Sequence, residues 1–277
     1  MNTVLMSATL ALSAGFAIAA EPPASASGSF QSQDIALEVH AAMAFRGKSV
    51  FDGSEVIIVA VTNVELQSDV VADYVDRRRF IERRYRDDDA RFVFFEFRPD
   101  GRCKGLSYYF KPGNGCGYCG GGDVSTVRLA GGRLKGSLKD QDRQYRFDIA
   151  LDVAITPDDH GAALPADGGA PGKAYLAYHA ALGRRDVAAV RPLLSKDQRE
   201  TLADAEKEGE GPGYLAYLTR EHPVRSVRIT GGFSKGRKAV LITDGESAAG
   251  KLSGEVLLYN EGGSWRVDDE LSDLVLK

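Results

Sequence analysis

The chain has 277 residues, 43% hydrophobic and 27% charged, enough apolar surface for one large core or two smaller ones. That composition excludes disorder, collagen and coiled coil as the main state. A net charge of −4, from 35 Lys and Arg against 39 Asp and Glu, is the wrong balance for gripping a phosphate backbone, so no nucleic acid partner is expected.

Residues Val4 to Ala20 carry no charge and are mostly Val, Leu, Ala, Ile, Met and Phe. This is the pattern of a secretory apolar region. Ala17-Ile18-Ala19 supplies the small-x-small site that a signal peptidase reads, and Glu21-Pro22-Pro23 breaks any helix, so residues 1–20 are expected to be a signal peptide. No later run approaches the roughly 18 apolar residues needed to span a bilayer, so the mature form is expected to have no transmembrane helix and to be exported to the periplasm or beyond. Residues 21–33 are small and polar and read as a disordered lead-in.

From residue 34 to 155 strand-like runs dominate. Ile35–Phe45 and Val56–Thr62 come first. Arg91–Arg98 and Arg102–Phe110 flank the turn Pro99-Asp100-Gly101, as in a hairpin, and Gly131-Gly132 separates Val124–Ala130 from Arg133–Leu138 in the same way. In Tyr145–Ile155 the residues Tyr145, Phe147, Ile149, Leu151, Val153 and Ile155 share one face. About seven strands of this kind predict a barrel or sandwich. One helix is expected between Gln67 and Arg86, where Val70, Tyr74, Ile81 and Tyr85 recur at near-helical spacing. Its arginines, Arg77, Arg78, Arg79, Arg83, Arg84 and Arg86, are matched by Asp73, Asp76, Glu82, Asp87, Asp88 and Asp89, and read as a solvated, salt-bridged face.

Residues 156–171 are rich in Pro, Gly and Asp and read as a linker. Beyond it, in residues 172–277, the period changes. Tyr175, His179 and Leu182, then Val187, Val190 and Leu194, predict two helices; Asp197–Lys207 and Tyr214–Thr219 offer two more helical pieces. Val224–Thr230, Lys238–Thr243, Leu252–Tyr259 and Trp265–Asp269 are strand-like, so the second domain is expected to be α+β, and the chain as a whole α+β.

Tyr175–Leu182, the stretch Val190-Arg191-Pro192-Leu193-Leu194-Ser195 and the closing Gly263-Ser264-Trp265-Arg266-Val267-Asp268 resemble the nuclear transport factor 2-like superfamily, the cystatin-like cone. The resemblance covers about 105 residues. It implies helices first and a curved antiparallel sheet last, a first helix that lines the cone pocket, and a homodimer through the open sheet face as an available assembly. On that basis Tyr175, His179, Tyr217 and Trp265 are the ligand-pocket candidates.

Three motifs fail in context. Gly115-Cys116-Gly117-Tyr118-Cys119-Gly120 fits the dinucleotide fingerprint, but more glycines and a strand follow it where a helix is required. Gly232-Phe233-Ser234-Lys235-Gly236 fits a nucleophile elbow, yet it joins two strands and the last histidine, His222, lies upstream. His40, His160, His179 and His222 show no metal-ligand spacing, so no metal and no cofactor are expected.

Cys116-Gly117-Tyr118-Cys119 is the remaining chemical signal. In an exported protein a structural disulfide between Cys116 and Cys119 is favoured over a redox pair or half a zinc site. If Arg102–Phe110 is extended, Cys103 sits about 25 Å from the loop at Lys111, which leaves Cys103 a free thiol. The sequence therefore reads as a non-enzymatic binding or scaffolding protein for a partner protein or small apolar ligand. An isomerase, dehydratase or hydrolase using the cone, and a thiol protein acting through the cysteine pair, are the alternatives.

Overall fold

The run Phe92-Val93-Phe94-Phe95-Glu96-Phe97 offers water no polar face, so a strand built from it has to be covered on both sides. A computed structural model, which describes residues 25–32, 35–85, 90–110, 113–118, 125–141, 145–220 and 226–275, shows what covers it. The signal segment 1–20 lies outside the described residues, as do Cys119 and His222, and so does the Tyr217 side chain.

The first half is a curled sheet of ten strands: β1 (Ser25–Ser32), β2 (Ile35–Glu38), β3 (Ala41–Lys48), β4 (Glu55–Thr62), β5 (Phe92–Phe97), β6 (Cys103–Phe110), β7 (Gly113–Tyr118), β8 (Arg128–Ala130), β9 (Arg133–Gln141) and β10 (Arg146–Thr156). Strands β3 to β7 form one antiparallel meander, while β10 pairs with β1 and β9 and bridges to β3 through Ile155 and Thr156 alone. The sheet curls around a first core. Phe30, Val59, Phe95, Phe97, Leu106, Phe147 and Ile149 fill it, and the expected inward face of the last strand is present in Phe147, Ile149, Leu151 and Val153. Residues 25–32 are not a disordered lead-in. Phe30 is fully buried beside Phe110 and Phe147, at ring distances of 6.1 and 6.2 Å, and that burial offsets the ordering of a chain otherwise composed of Ser, Ala, Gly and Gln.

The single helix expected between residues 67 and 86 is two short ones, α1 (Ser68–Asp73) and α2 (Arg77–Arg84). The break has a local cause. Tyr74 is extended at φ −87° and ψ 146°, and the Asp76 carboxylate accepts the N–H of Arg79 as an N-cap.

After the short strand β11 (Ala162–Ala163) come α3 (Gly169–Gly183), α4 (Val187–Val190), a 3-10 turn over Arg191–Leu193, α5 (Lys196–Lys207) and α6 (Gly211–Arg220). Then β12 (Ser226–Lys235), β13 (Lys238–Glu246), β14 (Lys251–Glu261) and β15 (Ser264–Leu274) complete a five-stranded antiparallel sheet in sequential order. The chain is α+β. The Gly236-Arg237 turn that disqualified the nucleophile elbow joins β12 to β13.

Helices α3 to α6 cover one face of this second sheet, with Tyr175, Tyr178, Val190, Leu202, Leu241, Val256, Leu258 and Val267 in the core between them. The other face is covered along β14 and β15, while Arg228 of β12 stays exposed. Leu257 and Leu271 join Phe45, Ile58, Phe80, Ile81, Phe92 and Phe94 in a third core, so α1 and α2 are packed between the outer face of β3–β5 and the back of β14–β15. Among the described residues no helix is long and apolar enough to cross a membrane.

Candidate functional site

Helix α2 reads Arg77-Arg78-Arg79-Phe80-Ile81-Glu82-Arg83-Arg84. Phe80 and Ile81 anchor it in the core between the sheets, and that position decides where the guanidinium groups go. The expected solvated face is not what forms. Arg77 is almost fully buried and donates to the carbonyls of Thr156 (3.2 Å) and Pro157 (2.6 Å) and to the Asp158 carboxylate (3.0 Å). Arg78 donates to Glu82 (2.8 Å), to Ser107 Oγ (2.9 Å) and to the fully buried Glu96 (3.3 Å), and lies over the Phe94 ring. Glu96 is completed by the Ser49 hydroxyl at 2.5 Å and the Val50 N–H at 3.0 Å. Arg79 and Arg83 both reach Asp273 of β15, and Arg83 also donates to the Ser272 carbonyl at 2.5 Å. From the opposite direction Glu255 of β14 accepts the N–H groups of Val75 (2.9 Å) and Asp76 (2.7 Å); burial raises its pKa against the pull of those two bonds. Helical spacing showed where these arginines stand on the helix. It carried no information about carboxylates and carbonyls that arrive from strands up to 194 residues away in sequence.

These elements leave a cleft of about 790 Å³ between the two sheets. Its walls are Arg46–Val50 from β3 and the turn after it, Val75–Arg79, Asp158 and His160 of the joint, Phe233, and Asp273–Val275 at the end of β15. That volume lies in the range of small-ligand and peptide pockets. Five large hydrophobic side chains are exposed among the described residues, and four of them, Val50 (51%), Val75 (37%), Leu274 (36%) and Val275 (52%), line this cleft. The charges at its wall are mostly internally matched: Lys48 with Glu55, Arg77 with Asp158, Arg78 with Glu82 and Glu96, Arg79 with Asp273. Arg46 and Asp76 are the exceptions, both exposed and without an ion-pair partner among the described residues. His160 packs against Phe233 at 5.7 Å, and burial followed by the neighbouring Arg77 charge lowers its pKa, so it is neutral at pH 7. Nothing in the periodicity of the sequence marked this cleft, because its walls come from five separated segments. The one available signal was Glu96, the only acid inside an otherwise apolar strand.

The predicted pocket residues lie elsewhere. Tyr175 on α3 is fully buried, and its hydroxyl donates to Glu270 Oε1 at 2.7 Å. Trp265 packs at the edge of the same core, and His179 is half-buried with its ring 6.3 Å from that of Tyr175. Burial lowers the His179 pKa and raises those of Glu270 and Tyr178. A bulge in β15, where the register with β14 shifts between Leu257 and Leu258, sends three consecutive acids to three destinations. Asp268 accepts from Ser195 (2.5 Å), Asp269 from Tyr74 of the first half (2.5 Å), and Glu270 from Tyr175.

The cysteine pairing is the reverse of the one expected. Cys116 lies on the edge strand β7 as a free, exposed thiol, and Cys103 is the disulfide-bonded residue. The Lys111–Gly122 stretch contains β7, paired along β6, so the chain does fold back along the strand and the distance argument for a free Cys103 fails. Among the described residues no group of three His, Cys, Asp or Glu side chains is placed to hold a metal ion.

No protein-family model and no curated protein matches the chain. One solved structure that is similar is an Ntf2 like protein involved in plasmid conjugation, 13% identical over 86% of this chain and 80% of that one, with a TM-score of 0.27. At that TM-score the likeness carries no argument for fold or function.

Proposed function

We propose that this chain is an exported, non-enzymatic binding protein whose partner occupies the cleft between the two sheets. The observation that carries the reading is the gathering of Val50, Val75, Leu274 and Val275 around one concavity, while among the described residues only Leu176 of the other large hydrophobic side chains is exposed. Exposed apolar groups scattered singly need no explanation, but four on one concave wall are what an interaction site requires. The test uses bis-ANS, an apolar fluorescent probe. Saturable enhancement at one site per chain is expected, lost in a Val50→Glu, Val275→Glu double variant whose circular dichroism is unchanged. Equal enhancement in the variant overturns the cleft as the binding site. Export is tested separately by the intact mass of protein recovered outside the cytoplasm, which should lack residues 1–19 or 1–20.

A second reading, an enzyme working in the helix-covered half, draws on the Tyr175–Glu270 pair, a buried carboxyl with a raised pKa and a neighbouring histidine. It requires a small molecule to reach Glu270 and protect it from modification by a carbodiimide, which distinguishes it from the cleft.

A further inference from the structure

Strand β1 enters the first sheet heading away from the cleft. Its Ser25 pairs with Asp152 of β10 and the two strands run antiparallel, so the chain before Ser25 leads along β10 toward Thr156. Thr156 bridges to Phe45, and Phe45, Asp158 and His160 are cleft wall. The steps from Asp152 to Thr156 make about 13 Å of strand. Those from Ser25 back to Glu21 include Pro22-Pro23, which favour an extended path, and span about 12 Å. The residues before Glu21 are therefore delivered to the mouth of the cleft. They are Val4–Ala20, mostly apolar and without a charge. The cleft suits such a segment. Val50, Val75, Leu274 and Val275 are exposed on its walls, while Arg46 and Asp76, the wall charges without an ion-pair partner among the described residues, are opposite in sign and select for neither an acid nor a base.

We propose that the apolar segment Val4–Ala20 of the same chain occupies the cleft until it is cleaved off, so that removal of residues 1–20 is the step that opens the binding site to a partner. A tethered segment needs little affinity of its own, because a short linker holds it at an effective concentration in the millimolar range. Cleavage removes the tether. The freed segment is then diluted, and apolar contact with four aliphatic groups alone does not retain it. The precursor covers its own exposed aliphatic surface, and the processed chain presents that surface to the partner.

This inference rests on the cleft being the binding site, and the experiment separates the two. Bis-ANS is titrated into the full-length chain and into a full-length Leu10→Glu, Leu12→Glu, Phe16→Glu variant, whose segment is too polar to lie on aliphatic groups. The parent should bind the probe at least tenfold more weakly than the variant, and adding Val50→Glu and Val275→Glu to the variant should abolish its binding. Native-state hydrogen exchange should show residues 273–275 at least tenfold better protected in the parent. A segment left outside the cleft would itself take up the probe and raise the parent's signal, so the two outcomes have opposite sign. If the parent binds at least as tightly as the variant, aggregates where the variant stays monomeric, or exchanges residues 273–275 at the same rate, self-occupancy is overturned while the cleft stands. If the variant does not bind bis-ANS, or binds it equally with Val50→Glu and Val275→Glu, the proposed function falls and this inference with it.

Discussion

Arg77, with 1% of its surface exposed, donates from Nη1 to Oδ1 of Asp158 at 3.0 Å, and so fixes the start of the segment that joins the two sheets to a helix packed between them. The same guanidinium satisfies two main-chain carbonyls of that segment, Thr156 and Pro157. Burial pulls its pKa down and Asp158 opposes the pull, yet a guanidinium stays charged at any working pH. Replacing it with methionine takes a charged donor from the two carbonyls, while the half-exposed Asp158 carboxylate can turn to water. Hydrogen bonds to a charged group contribute about 1.5–3 kcal/mol. Arg77→Met should therefore lower the unfolding free energy by about that amount, read as a lower urea midpoint, and Arg77→Lys, which keeps the charge and loses the fork, should lose less. An unchanged midpoint in Arg77→Met would remove Arg77 as the anchor of the joint.

The Tyr175–Glu270 pair makes a pH prediction. Burial raises the Glu270 pKa above its ordinary value of 4.5, more than the Tyr175 hydrogen bond lowers it. A carboxyl whose folded pKa is raised binds its proton more tightly in the folded state, so its contribution to stability is present below about pH 4.5 and is lost as pH rises through the raised folded value. Glu270→Gln keeps an acceptor for the Tyr175 hydroxyl and removes the charge. Its melting temperature should exceed that of the parent at pH 7 and match it near pH 4. A variant less stable than the parent at pH 7 would mean that the ionised carboxylate is a net stabiliser.

Leu257 and Leu271 belong to the second sheet by sequence and to the α1–α2 core by packing. Residues 161–163 are exposed, so limited proteolysis should cut there first. The two fragments should nevertheless co-elute on gel filtration until denaturant is added. Leu271→Ala should cost about 2–5 kcal/mol and let the nicked halves separate at lower denaturant. Fragments that separate without denaturant would show that the shared core contributes little.

The thiol inventory is directly countable. Cys116 is free and exposed, so native protein should react with one equivalent of Ellman's reagent without prior reduction, and Cys116→Ser should abolish the reaction while changing stability by less than about 0.5 kcal/mol. No reactive thiol in the parent would restore the Cys116–Cys119 pairing.

The alternation in Tyr145–Ile155 specified β10 and its buried face, because a strand with one face on a core must repeat every two residues. The glycine turns placed the hairpins of both sheets for a similarly local reason, and the change of period after the Pro- and Gly-rich stretch foretold α3, which begins at Gly169, inside the expected linker. Helix order and strand order in the second half were legible on the same grounds. The destinations of the arginines were not. Arg78 and Arg79 sit one residue apart in sequence, yet one ends on Glu96 of the first sheet and the other on Asp273 of the second. Nor could pattern show that Ser25–Ser32 is a strand, since the burial that orders it comes from Phe110 and Phe147 far along the chain. The sequence by itself determined those elements that depend on neighbours within a few residues. Only the tertiary structure decided the cleft, because its four gathered aliphatic groups exist as a site only when β3, α2 and β15 meet.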